Sequence, residues 1–154
     1  MDLVLWRHAE AEEWHPGCDD VARKLTPRGE KQAFRMARWL DRQLPDSARI
    51  LVSPTRRTEQ TALSLGRKYK LCDELLSSET GSDALLKLVN WPLARGAVLV
   101  VGHQPTLGQV IAELLALKES ECTVRKGATW WLRSRQREDQ WQTLVVTVQS
   151  PEIL

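Results

Sequence analysis

The chain has 154 residues, of which 42% are apolar and 27% charged, and a formal net charge of +2. That length suits a single domain spanning 1–154, able to bury roughly 68–70% of the surface its unfolded chain would expose, and the composition excludes disordered and fibrous classes. Its 22 basic and 20 acidic side chains are interspersed, so no polybasic block points to nucleic acid or an anionic membrane as a partner.

The first apolar run, Leu3–Trp6, reads as a buried strand and is too short for a signal segment or a membrane span. Cys18, Cys72 and Cys122 are odd in number and form no C-x-x-C pair, which predicts free thiols and a cytoplasmic protein. Thr26-Pro27 opens a helix with a hydroxyl cap and a proline in its first turn. Ala33, Met36, Ala37, Leu40 and Leu44 then mark one apolar stripe, and Pro45-Asp46 ends the helix.

A second strand, Ile50–Val52, turns at Ser53-Pro54 into a helix whose face carries Thr58, Ala62, Leu65, Gly66 and Tyr69. A shorter helix is expected within Ser82–Val89. The third strand, Ala97–Val101, ends at Gly102-His103-Gln104-Pro105, and Leu107, Val110, Ile111, Leu114 and Leu115 form the stripe of the following helix. Thr129–Arg133 and Gln140–Val148 read as a hairpin interrupted by the charged tract Arg133–Gln140. Seven tryptophans are scattered along the chain and are expected in the core and pocket walls. Strands alternating with helices predict an α/β, three-layer sandwich, with a mostly parallel central sheet flanked by helices.

In such sheets ligands bind beyond the carboxyl ends of parallel strands. Here the three strand ends deliver Arg7-His8, Ser53-Pro54-Thr55-Arg56-Arg57 and Gly102-His103, in a chain with only three histidines. Phosphoryl transfer needs a nucleophile in line with phosphorus and positive charge on the equatorial oxygens. His8 suits the nucleophile, with one ring nitrogen held by an acceptor and the other free. Arginine forks supply fixed charge, and His103 suits a second, cationic contact.

Leu5-Trp6-Arg7-His8-Ala9-Glu10-Ala11-Glu12 resembles the R-H-G opening of the histidine phosphatase superfamily, which includes the phosphoglycerate mutases. Leu25 to Ala33 is similar to that family's L-T-x-x-G-x-x-Q-A helix start, Ser53 to Ala62 to its S-P-x-x-R-x-x-Q-T-A segment, and Val101-Gly102-His103-Gln104-Pro105 to its second-histidine motif. The resemblance implies a phosphoglycerate mutase-like fold, with His8 as phosphorylated nucleophile and Arg7, Arg57 and His103 completing the phosphate pocket. Arg57 falls on the motif position, leaving Arg56 a solvated neighbour. No metal or cofactor is implied, and the spacing of His8, His103 and Cys18 does not suggest a metal site.

Short length and the R-H-x-x-A opening are most similar to the bacterial phosphohistidine phosphatases of the superfamily. Ala11 and Trp14 stand where mutase-like members carry Ser and Asn, and a long insertion that covers small substrates is missing. Both departures imply a shallow pocket suited to a phosphohistidine-bearing protein, such as a phosphotransfer domain or a phosphotransferase carrier. Ala9 replaces the motif glycine, which requires a negative φ there. Glu79 is the positional candidate for a general acid, although a solvated loop carboxylate is the commoner role for such a residue. Arg23, Lys24 and Arg28 surround the start of the first helix, and Lys24 or Arg28 is expected nearest the pocket. A phosphatase of small phosphate esters and a catalytically quiet phospho-binding module stay open as alternatives.

Overall fold

The computed structural model describes residues 1–76 and 81–154. Six strands form one sheet: β1 (Asp2–Arg7), β2 (Arg49–Val52), β3 (Lys70–Leu71), β4 (Ala97–Gly102), β5 (Thr129–Arg137) and β6 (Gln140–Gln149). Their spatial order is β3-β2-β4-β1-β5-β6. The first four run parallel, and β5 and β6 add an antiparallel edge. Helices α1 (Pro27–Gln43), α2 (Arg56–Leu63), α3 (Gly81–Val89) and α4 (Thr106–Leu114) cover the two faces.

Strand alternation builds the three layers. Leu3 and Leu5 of β1 join Leu85, Val89, Leu107, Val110 and Ile111 on the face covered by α3 and α4. Val4 and Trp6 point the other way, toward Met36, Ala37, Leu40 and Ala62 of α1 and α2. Fully burying a side chain such as Met36 or Leu40 contributes about 1.5–3 kcal/mol, so the stripe on α1 fixes that helix firmly on the sheet.

The chain runs from β1 through α1 on one face and from β4 through α4 on the other. Because β1 and β4 are neighbours, the connections leaving their carboxyl ends diverge, and a crevice opens between them. His8 and His103 are the first residues past those two strands.

Three sequence expectations need correction. Helix α2 stops at Leu63, before Gly66 at φ +71°, and Tyr69 leads instead into the two-residue strand β3. The hairpin has no long polar interruption: β5 continues to Arg137, and only Glu138 and Asp139, both at positive φ, make the turn. Two adjacent positive φ values match the twist of the strands, as in type I′ turns. Of the tryptophans, Trp6 and Trp131 are buried and Trp39, Trp91 and Trp130 half-buried, whereas Trp14 and Trp141 are exposed. Cys18, Cys72 and Cys122 are free thiols. Among the described residues, no helix is long and apolar enough to cross a membrane.

Candidate active site

The segment after β1 is held by residues from all the sequence motifs. His8 N–H donates to the Gly102 carbonyl at 3.1 Å, Ala9 N–H to Thr61 Oγ1 at 3.1 Å and Glu10 N–H to Gln32 Oε1 at 3.0 Å. Thr26 caps α1 by accepting from Gly29 N–H at 3.0 Å. Gly29 packs directly on this segment, since a Cβ there would stand 1.9 Å from the Glu10 carbonyl oxygen. Gln60 Oε1 accepts from Leu25 N–H at 2.7 Å and ties α2 to the start of α1. Ala9 is buried with Ala11, Leu25 and Ala33, and it is not among the positive-φ residues, so the methyl in place of the motif glycine fits.

His8 is 7% exposed, and its Nδ1 lies 2.8 Å from the Ala9 carbonyl oxygen. A carbonyl only accepts, so Nδ1 carries the ring proton and Nε2 keeps its lone pair. Burial, opposed by the Ala9 hydrogen bond and reinforced by His103, Arg57 and Arg7, pushes the His8 pKa down to about 3. The ring is therefore neutral at physiological pH, with a lone pair available on Nε2.

His103 faces it with ring centroids 5.5 Å apart. Its Nε2 pairs with the buried Ser53 hydroxyl at 2.8 Å. Burial first, then the charge of Arg57, brings the His103 pKa to about 4. The expected cationic contact is thus neutral, because desolvation and the charges of Arg57, Arg7 and Arg23, offset in part by Asp20, oppose a further positive charge.

Arg7, His8, Ala11, Arg23, Arg57, His103, Gln104 and Lys126 line a cavity of about 290 Å³. Arg57 is 8% exposed, whereas Arg56 is exposed. Arg7 is anchored by NH1 donating to the Val124 carbonyl at 2.7 Å. Arg57 donates to the Asp20 carbonyl at 2.9 Å and pairs with its carboxylate at 3.3 Å. Burial lowers the pKa of both arginines, yet arginine stays charged over the whole accessible range. Burial works to raise the Asp20 pKa, but Arg23 and Arg57 outweigh it and hold the carboxyl below its ordinary value.

Among the described residues, five buried side-chain polar atoms lack a partner, and Arg7 Nε, Arg57 Nε and His103 Nδ1 are three of them. Leaving such buried polar atoms unpaired costs about 1–3 kcal/mol each. All three belong to side chains lining the cavity that holds His8. An anion with several acceptor oxygens would satisfy the two guanidinium N–H groups, and His103 Nδ1 with them when the Ser53 hydroxyl donates to Nε2 and leaves the ring proton on Nδ1. A phosphoryl group, placed with its phosphorus facing His8 Nε2, has that chemistry.

Asp20, Ser53 and Lys126 act around this pocket without having been singled out as site residues. Asp20 and Lys126 carry no local sequence signal, but Ser53 and Thr61 both stand inside the S-P-x-x-R-x-x-Q-T-A segment. Of the three cations near α1, Arg23 lines the cavity and Lys24 does not; Lys24 reaches Glu12 at 3.8 Å instead. Glu10 lines an adjoining cavity, while Glu12 and His15 are exposed. Glu79 lies outside the described residues.

The crevice thus brings two facing histidines and clustered arginines together, a set of side chains with the chemistry to handle a phosphoryl group. The chain belongs to the histidine phosphatase superfamily, whose branch 1 matches residues 3–77. It is similar to the phosphohistidine phosphatase SixA of Escherichia coli K12, with 34% identity over 123 residues covering 74% of each chain. A SixA homolog of Haemophilus influenzae is 32% identical over 130 residues, covering 74% of this chain and 77% of the relative. The solved structure of the protein histidine phosphatase SixA complexed with tungstate matches with a TM-score of 0.72 and 27% identity over 99% of both chains.

Proposed function

We propose that this protein is a protein phosphohistidine phosphatase that works through a covalent phosphohistidine on His8. The observation that carries the proposal is the neutral His8 with Nε2 free, beside Arg7 Nε, Arg57 Nε and His103 Nδ1, which have no partner among the described residues. His8 Nε2 attacks phosphorus and displaces the substrate imidazole, which leaves with its proton on the far ring nitrogen. Arg7, Arg57 and His103 Nδ1 stabilise the equatorial oxygens during transfer. Water then attacks the phosphorus of phospho-His8, the N–P bond breaks, and inorganic phosphate departs.

A phosphohistidine substrate also relaxes the demand for a general acid. Neutral imidazole leaves far more readily than an alkoxide, so the first step on an N–P bond does not depend on a carboxylic acid such as Glu79. The physiological donor in this reading is a phosphotransfer domain or a phosphotransferase carrier. Free cysteines agree with a cytoplasmic setting. The test is phosphate release from a panel of phosphohistidine proteins and phosphate esters, with acid-labile label trapped on wild type and absent from His8→Ala. Full activity in His8→Ala would end the proposal, and preferential release from esters would transfer it to small-molecule substrates.

A further inference from the structure

Two further cavities lead away from the catalytic one. The first, about 470 Å³, shares Arg7 and Lys126 with it and adds Glu10, Arg28, Gln32, Arg125 and Glu152. The second, about 370 Å³, shares Arg28, Gln32 and Glu152 with the first and adds Lys31 and Arg35. Together they form a groove running from the phosphoryl pocket along α1, walled on the other side by the loop before β5 and the C-terminal turn Pro151–Ile153.

The loop is fixed in place rather than draped. Gly127 N–H is shared between the Arg7 and His8 carbonyls at 3.2 and 3.0 Å, and its own carbonyl accepts from Trp6 Nε1 at 3.1 Å. Gly127 sits at φ +76°, and a Cβ would come within 3.2 Å of Pro151 and 3.4 Å of Gln32. Arg125 and Lys126 are thereby held beside the backbone of the nucleophile.

Arg28, Lys31, Arg35, Arg125 and Lys126 are all exposed, and among the described residues none of them forms an ion pair. The two carboxylates in the groove are occupied locally. Glu10 accepts from the Thr26 hydroxyl at 2.7 Å, and Glu152 accepts from the Ser150 hydroxyl. On the other side of the pocket the wall differs: among the described residues lining it, Val21 and Leu76 are exposed and Asp20 is the one ionised acid. Among the described residues the groove side of the pocket mouth thus carries six basic side chains, Arg7, Arg28, Lys31, Arg35, Arg125 and Lys126, against the two carboxylates, and this positive side extends well beyond the space a phosphoryl group needs.

We infer that this groove docks the acidic flank of a phosphohistidine-bearing protein, setting its orientation as the phosphorylated ring enters the pocket; the inference rests on the phosphohistidine phosphatase reading above. A small phosphate compound filling the catalytic cavity does not reach α1, so the groove acts on protein substrates. Its contribution is to encounter and orientation, through charge complementarity, and is screened by salt.

The test compares three probes: free phosphohistidine and two peptides phosphorylated on a single histidine, one flanked by Glu and Asp and the other by Gln and Asn. Wild type should favour the acidic peptide in kcat/KM by roughly tenfold or more at low ionic strength, with the gap closing as salt is added. Arg28→Glu combined with Arg125→Glu should cost far more on the acidic peptide than on free phosphohistidine. The same charge change at Arg42→Glu and Lys68→Glu, two exposed sites outside the groove, should keep the preference. Equal rates on the two peptides, or equal losses from the two double variants, would overturn the docking role and leave the phosphatase reading standing. No phosphate release from any of the three probes would remove the phosphatase reading and the groove's role with it.

Discussion

Acidification should destabilise this fold through its two pocket histidines. An unfolded histidine has a pKa of about 6.5, whereas the folded values are about 3 for His8 and about 4 for His103. Between these limits the unfolded chain binds more protons, so stability is complete above pH 6.5 and is lost as pH falls toward the folded values. Going from about pH 7.5 to pH 5, linkage gives a loss of up to about 2 kcal/mol from each histidine. Urea midpoints at the two pH values should therefore fall steeply in wild type and less in His8→Asn and His103→Asn, with NMR titration of the rings as the direct readout. The same pKa keeps about 99% of His8 neutral at pH 5, against about 3% for an ordinary histidine. Phosphoenzyme formation from one donor should change less than about twofold in nucleophile competence over that range. A His8 ring titrating near 6.5, or an unchanged pH slope in both variants, would refute the reasoning.

Gly29→Ala gains about 1 kcal/mol of helix propensity, but its methyl would stand 1.9 Å from the Glu10 carbonyl oxygen. Relieving that contact moves backbone, at a typical overpacking cost of about 1–3 kcal/mol, so thermal unfolding should show a net loss and turnover should fall with the displaced His8 segment. Thr61→Val keeps the volume and strips the acceptor from Ala9 N–H. Chemical denaturation should report a loss of about 1–3 kcal/mol, with kcat lowered more than KM is raised. Arg57→Lys retains charge but loses the fork that reaches both Asp20 and the pocket; single-turnover transfer should slow by about 10²-fold or more, in line with the loss of one transition-state donor.

Most of what positions the pocket is readable in the sequence because local chemistry specifies it. Thr26-Pro27 marks the start of α1 by its cap, and the continuous apolar runs of β1, β2 and β4 mark strands buried on both faces. The arginine and histidine positions follow from the strand ends. The rest depends on contacts distant in sequence. Asp20 becomes a site neighbour only when the loop before α1 folds over α2, and Lys126 only because Gly127 pins its loop to Arg7 and His8. β3 is two residues long, too short for any periodic signal, and forms because β2 offers a free edge. The charged residues of β5 disguise a strand whose Ser134 is buried while Arg133 and Arg135 face outward. His103 reads as a cation beside a phosphate, and its neutrality emerges only from burial next to Arg57 and Arg7.

The backbone that carries His8 is a connecting segment in shape, yet its successive N–H groups are answered by β4, α2 and α1 in turn. Three elements distant in sequence thus act as one clamp on a few peptide units. Moving the backbone that carries the imidazole would mean releasing several of those grips at once, a motion comparable in cost to local unfolding. The backbone under His8 is consequently a fixed post, and in the proposed reaction the larger movements fall to the incoming phosphorylated side chain and the departing phosphate.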